Sequence, residues 1–593
     1  MRNIIFILSF LASGLIQAKD VGSDLYADLN GVLEKIQQTQ RDHWPQSAAY
    51  YGDKNKAGEL NDVSEAHYQK VRTDLAQLEQ QLAAIKADNL SFQEQISRQM
   101  QLDNLQQQIA DIDAKEYQIP INSESSFHVG LATMHRYLSF KTTQDYSNYI
   151  SRLKQVPRVM DQNITNLKNG LKRGFTQPKV ILEHYPEFID GYIEEDVSQS
   201  SFYQPFLQKP TQLTDQQFKD YQQQAQKLIK EQVNPSYQRF KDFMVNTYLP
   251  QTRTSIGAYQ LPDGKNYYQQ QIKEYTTLDL TPKEIHQIGL QEVKRIRAEM
   301  EGIIESLIEQ GEFTPKTDDS FAEFIQFLRT DERFYPKTAE ELLKEAAYIA
   351  KHMDGKLPQL FKKLPRQPYT VKPVPAAFAP NYTTGRYSGA PIDSTRAGEY
   401  WVNTYALDKR PLYNLEALTF HEAVPGHHLQ NALTQELDNL PEFRRRGYIS
   451  AFGEGWGLYC EKLAKEVGFY EDPYSDFGRL TYEMWRAMRL VVDTGMHAMG
   501  MSREEAINLM RDNTALSEHN VRTEIDRYIG WPAQALSYKL GEIKIWELRD
   551  KAEKALGNDF DLRDFHDTIL SGGAVPLEVL EQMIDRYIKQ SQE

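Results

Sequence analysis

Apolar residues recur at three- and four-residue spacing along most of this chain, as in Val71, Leu75, Leu78, Leu82 and Ile85, or Ile150, Leu153, Val156, Val159 and Met160. That period belongs to helices that bury one stripe and leave the rest in water. Between Asp24 and about Leu280 the intervening positions are rich in Gln, Lys and Glu, so the stretch reads as a set of amphipathic helices. Helix starts are marked by Ser64 before Glu65 and by Thr281 before Pro282 and Glu284, because Thr and Ser cap free N–H groups and proline suits the first helical position. The texture changes between Lys356 and Pro391, where prolines, aromatics and β-branched residues replace the Gln-rich pattern. Tyr369–Val374 and Glu399–Tyr405 read as short strands, with Thr384–Gly389 as a Gly-rich turn between them. After Asn414 the helical period returns and persists almost to the end, so the expected fold is mostly α with one small sheet.

Composition narrows the class. With 40% hydrophobic and 25% charged residues in 593, the chain can build a folded core rather than remain disordered. Its net charge of −15 excludes an electrostatic nucleic-acid binder. The apolar run Ile4–Ile16 follows Arg2, ends near the small Ala18, and is shorter than the roughly 20 residues of a membrane span. Residues 1–18 therefore read as a cleaved signal peptide, and the protein as exported, periplasmic or extracellular, with no membrane span. The single cysteine, Cys460, excludes an intrachain disulfide and any Cys-based zinc site. It also lies far from the leader, where an N-terminal lipid would be attached.

The most unusual segment is Phe420–Leu429, which holds His421, His427 and His428 within eight residues, where 13 histidines in 593 would place about 0.2. A His-Glu pair followed by a later His is the pattern of zinc hydrolases, in which two imidazoles hold the metal and the Glu, here Glu422, takes a proton from water. The usual spacing is four residues, and here it is not. On an ideal helix His427 would lie about 9 Å along the axis and about 120° off the face of His421, while His428 would share the face about 10.5 Å away. Pro425 cannot donate to the carbonyl of His421, and Gly426 tolerates unusual dihedrals, so the helix should bulge there and return a later His to the metal. His427 is the preferred second ligand and His428 the alternative.

A catalytic zinc takes three protein ligands and leaves one position open. Glu454 and Glu461, two turns apart in Phe452–Glu461, share one helix face, and the small Gly457 between them allows close approach to the metal helix. Glu454 is the candidate third ligand, and Glu461 the partner that orients a ligand imidazole. His497, one turn after Asp493, can form a buried supporting pair with it. Arg486 and Arg489 can bind a substrate carboxylate or neutralise Glu454 and Glu461.

These motifs, together with Arg489–His497, Ala533–Gly541 and Tyr275–Pro282, resemble the bacterial family known as domain of unknown function 885 over most of the chain, most strongly from Leu418 to Pro576. A more distant resemblance links them to the helical zinc peptidases of the thimet-oligopeptidase, angiotensin-converting-enzyme and Taq-carboxypeptidase groups. The 26 residues between His427 and Glu454 are close to the thimet-oligopeptidase spacing, whereas the Pro-Gly insertion in the metal helix departs from it. The resemblance implies a zincin-like helical peptidase with a small β-sheet beside the metal helix and a deep cleft. Residues 19–280 would form one wall of that cleft and residues 281–593 the catalytic region.

It further implies that Glu399–Tyr405 is an edge strand pairing with peptide substrates, with Tyr400 and Asn403 lining the cleft, and that Tyr538, or else Tyr528, stabilises the oxyanion. The expected function is hydrolysis of short peptides with one Zn2+ per chain. Two alternatives stay open: a non-catalytic exported protein that binds a metal or ligand, and a zinc hydrolase of a non-peptide bond. Glu422 beside His421 favours the enzyme, since a structural zinc needs no adjacent base.

Overall fold

The computed structural model describes residues 28–50, 52–123, 126–376, 379–391 and 395–593; the leader, residues 1–18, lies outside them. The N-terminal helices α1 (Leu29–His43), α2 (Glu65–Ala83) and α3 (Phe92–Ala114) share a core of Val32, Leu75, Leu78 and Leu105. The expected cap is present, since Ser64 accepts the His67 N–H at the start of α2. The long α4 (Thr143–Arg173) buries the stripe Ile150, Leu153, Val156, Val159 and Met160 against Phe202, Phe206 and Phe240 in a second core.

Two further helices carry the chain into the C-terminal body: α5 (Gly264–Thr276) and α6 (Pro282–Glu309). Thr281 and Glu284 close a reciprocal capping box on α6, with Pro282 in its first turn. The body itself contains α7 (Leu415–Glu422), α8 (His427–Gln435), α9 (Ser450–Leu463), α10 (Pro473–Ala498), α11 (Glu518–Gly530), α12 (Ser537–Leu556) and α13 (Leu577–Gln592). Their apolar faces, together with most of α6, make the largest core. α6 lies along α10, and α9 packs on both α7 and α12. Every residue of α10 from Phe477 to His497 is buried, charged ones included. Those charges are tolerable because they are paired: Glu483 meets Arg479 at 3.0 Å and Lys539 at 2.8 Å, and Arg489 meets Glu524 at 3.1 Å.

The sheet has three strands, β1 (Tyr369–Pro373), β2 (Gly385–Ser388) and β3 (Gly398–Val402), in the order β1-β3-β2. β3 runs parallel to β1 and antiparallel to β2. Two expectations are corrected here. The Thr384–Gly389 segment is not only a turn, because Gly385–Ser388 pairs with β3. The strand within Glu399–Tyr405 is central rather than an edge, because both its sides are already hydrogen-bonded, and β2 takes the edge position instead.

Candidate metal centre

α7 ends at Glu422, where Ala423 leaves the helical region (φ −95°, ψ −107°), and the Val424–Pro425 peptide is cis. A Cβ on Gly426 would lie 2.0 Å from the carbonyl oxygen of His421, so only glycine lets the chain fold back this closely. The Trp456 indole donates to the Pro425 carbonyl at 2.9 Å and ties the break to α9. α8 then starts at His427. The outcome is that His421 and His427, six residues apart, have ring centroids 4.7 Å apart at 89°.

α9 brings Glu454 to the same point. Its Oε2 is 3.3 Å from His421 Nε2 and 3.5 Å from His427 Nε2, and ligand atoms of the three residues all lie within 4.8 Å of one another. The close approach needs Gly457, where a Cβ would fall 2.7 Å from the His421 ring. Glu461, two turns further along the same face of α9 and almost fully buried, holds His421 Nδ1 at 2.8 Å and thereby turns Nε2 toward Glu454. Arg486 Nη2 stands 3.6 Å behind Glu461. Burial alone would push the His421 imidazole down, but its hydrogen bonds to Glu454 and Glu461 and the charges of Glu461 and Glu422 outweigh it and raise it to about 9. Burial likewise works against a charged Glu454, and the two imidazoles overcome it, holding the carboxyl well below its usual range.

Two imidazole nitrogens and one carboxylate oxygen, converging in a mostly buried pocket with one imidazole oriented by a further carboxylate, form the donor set of a catalytic zinc site. The residues present therefore fit a divalent cation of the zinc type.

Around this cluster stand groups with chemistry to offer. Glu422, half-buried, accepts the Tyr387 N–H of β2 at 2.7 Å. Because Tyr387 N–H points away from β3, the free edge of β2 runs past the Glu422 carboxylate. Tyr538 lies beside His421, ring centroids 6.4 Å apart at 22°, with the Arg489 guanidinium 4.2 Å from the Tyr538 ring centroid. Its phenol is pushed up by burial and by the charge of Glu454, against the opposing pull of Arg489, Arg527 and Arg486. Tyr448, which the sequence reading did not single out, donates its hydroxyl to Glu454 Oε1 at 2.8 Å, although the residue as a whole is 53% exposed. It sits in the connection before α9, where no periodic pattern marks it.

Other expected residues are placed elsewhere. His428 does not join the cluster: Nδ1 contacts the Tyr387 hydroxyl and Nε2 the Gln367 carbonyl, both at 3.1 Å, and burial pushes it down to about 4. The Tyr528 hydroxyl is already shared among Glu524, Arg489 and Trp485 at 2.7 to 2.9 Å. Asp493 and His497 do not hydrogen-bond; their nearest atoms are 4.0 Å apart. His497 instead bridges the Ala258 N–H and the Tyr528 carbonyl, while Asp493 accepts from Tyr268 and Ala533.

Tyr400 is fully buried, and Asn403, equally buried, stands in the wall of the pocket that Leu418 and Arg410 also line. The Tyr400 hydroxyl meets Thr419, and the Asn403 amide donates to the carbonyls of Ala379, Tyr382 and Thr383, clamping the loop before β2. Arg489 is buried between Glu524, Tyr528 and Trp485 rather than open to a substrate.

The model of a family described as bacterial protein of unknown function (DUF885) matches residues 45–584. No curated protein matches the chain. Two solved structures, both described as a putative lipoprotein, are similar throughout. The one from Colwellia psychrerythraea is 30% identical, with a TM-score of 0.86 and coverage of 95% of this chain and 99% of its own. The one from Shewanella oneidensis, described as of unknown function, is 20% identical, with a TM-score of 0.73 and coverage of 94% and 99%; at that identity it speaks for the fold alone.

Proposed function

This chain belongs to the DUF885 family of bacterial proteins, and we propose that it is an exported metal-dependent peptidase acting on short peptides. The observation that carries the reading is the convergence of His421, His427 and Glu454 within 4.8 Å, with the Glu422 carboxylate held on the free edge of a β-strand beside them. The lipoprotein description of the 30%-identical structure supports an exported location.

A zinc ion held by these three side chains would supply a Lewis acid that polarises a carbonyl and acidifies water. The protein's own groups divide the remaining work. Glu422 takes the proton of the attacking water and passes it to the leaving amine, with the Tyr387 N–H fixing its position. The Tyr538 hydroxyl stabilises the oxyanion that develops on the substrate. Glu461 sets the tautomer and angle of His421, and Tyr448 holds one oxygen of Glu454 so that the other faces the imidazoles. β2 is bonded to β3 on one side only, so its outer edge can pair with an extended peptide and bring an amide alongside Glu422.

The test uses the full chain loaded with zinc and a mixture of short peptides followed by mass spectrometry. Glu422→Gln should retain zinc and lose cleavage. Cleavage at the wild-type rate by that variant would defeat the reading.

A further inference from the structure

A pocket of about 190 Å³ opens between the end of β3 at Val402, α7 and Tyr482 of α10, lined also by Thr384, Leu415, Leu418, Arg329 and Arg410. Its position relative to Glu422 is set by two elements. Leu418 lies one turn before Glu422 on α7, about 6 Å along the axis and on the same face. Thr384 immediately precedes β2 and is three residues from Tyr387, about 10 Å in extended chain. The pocket is therefore two to three extended residues away from the Glu422 carboxylate, along the track of β2.

In a chain of net charge −15, the pocket wall holds two half-buried guanidinium groups that no carboxylate of the described residues pairs with. Arg329 spends Nε and Nη2 on the carbonyls of Leu516, Arg511 and Thr514. Arg410 spends Nε on the Tyr405 carbonyl at 3.2 Å, and among the described residues its two terminal nitrogens have no hydrogen-bond partner. The acids nearby are committed elsewhere, Asp408 to Lys409 at 2.9 Å and Glu518 to Arg522 at 3.2 Å. Burial pushes both guanidinium groups down, and the charges of Asp512 near Arg329 and Asp408 near Arg410 offset it only in part. Leu342, Val402, Leu415, Leu418 and Leu516 supply an apolar wall beside them.

We propose that this pocket takes the C-terminal residue of a peptide substrate, its free carboxylate bound by Arg410 with support from Arg329 and its side chain against the leucine wall. The proposal rests on the peptidase reading and deepens it: cleavage at Glu422 would release pieces two to three residues long from the C-terminus. Arg410 assumes the carboxylate-binding part that the sequence suggested for Arg489, which the fold has enclosed.

Calorimetric titration of the full chain tests this with an N-acetylated apolar dipeptide as free acid, the same dipeptide as C-terminal amide, and inorganic phosphate. The acid should bind about tenfold or more tighter than the amide, the effect of one charge-assisted contact. Arg410→Gln should bring the acid down to the amide's affinity and leave the amide unchanged, while Arg410→Lys should keep part of the preference; unaltered melting of both variants shows that the fold is retained. Equal binding of acid and amide, no binding of either, a preference that survives Arg410→Gln, or phosphate displacing the acid at equal concentration would each overturn the proposal. Because the titration needs no turnover, a chain that shows the preference but cleaves nothing defeats the peptidase reading alone.

Discussion

Tyr448 donates its hydroxyl to Glu454 Oε1 at 2.8 Å, and the other oxygen of the same carboxylate is the one that faces His421 and His427. Such a contact to a metal-ligating carboxylate typically tunes affinity or activity by about 10- to 100-fold. Tyr448→Phe should therefore weaken zinc binding by roughly tenfold. Since half of the residue's surface is exposed and the ring itself is retained, melting temperature should hardly change. Competition with a zinc chelator measures the first and calorimetry the second; unchanged affinity would remove Tyr448 from the site.

Glu461 supports the other side of the cluster through His421 Nδ1 at 2.8 Å. Glu461→Gln can still accept through its amide oxygen but brings no charge, so zinc affinity should fall by about 10- to 100-fold while the protein still folds. An affinity equal to wild type would mean that His421 is oriented by packing alone.

Gly457 admits the His421 ring, and a methyl group there would sit 2.7 Å from it. Gly457→Ala should destabilise the chain by about 1–3 kcal/mol, the usual range for overpacking a filled site, and displace His421 from Glu454. Denaturant unfolding with and without zinc reads both effects. Wild-type stability together with wild-type zinc binding would show that the two helices can part at no cost.

A pH dependence comes from a group of carboxylates on α3 and α5 and in the connection after α3. Glu274 on α5 is raised to about 8 by burial and by the charge of Asp111, which burial itself raises to about 6. Glu116 is raised as well, and Gln107 bridges Asp111 and Glu274 at 2.8 and 3.4 Å. A raised carboxyl binds its proton more tightly in the folded chain than in the unfolded one, so its contribution to stability is complete below about pH 4.5 and is lost as pH rises toward 8. Glu274→Gln should melt about 2 °C or more above wild type at pH 8.5, and the gap should close toward pH 5. A gap independent of pH would mean that Glu274 is charged in the native protein.

The helices were legible because a 3.6-residue period and its caps are local signals; Ser64 and Thr281 cap where their neighbours predict. The Pro425–Gly426 break was legible for the same reason, because a missing N–H and a missing Cβ act on the adjacent backbone whatever the tertiary fold. Strand order was not. Whether Gly398–Val402 is central or at an edge depends on partners almost 30 residues away in β1, and period-2 patterning of single strands carries no record of them. Tyr400 was misplaced for that reason, since its side chain on the central strand turns into the core. Asp493 and His497 share a helix face, yet Tyr268 and Ala258, more than 200 positions earlier, take their hydrogen bonds. Tyr448 belongs to an irregular connection, where spacing says nothing about which side chain a hydroxyl will reach.

The central claim is that His421, His427 and Glu454, but not His428, hold a metal. Zinc content after stoichiometric loading and desalting, measured by atomic emission on His427→Ala and His428→Ala, tests it most directly. The account predicts that His427→Ala is left nearly empty and His428→Ala retains about one zinc per chain; a full His427→Ala beside an empty His428→Ala would contradict it.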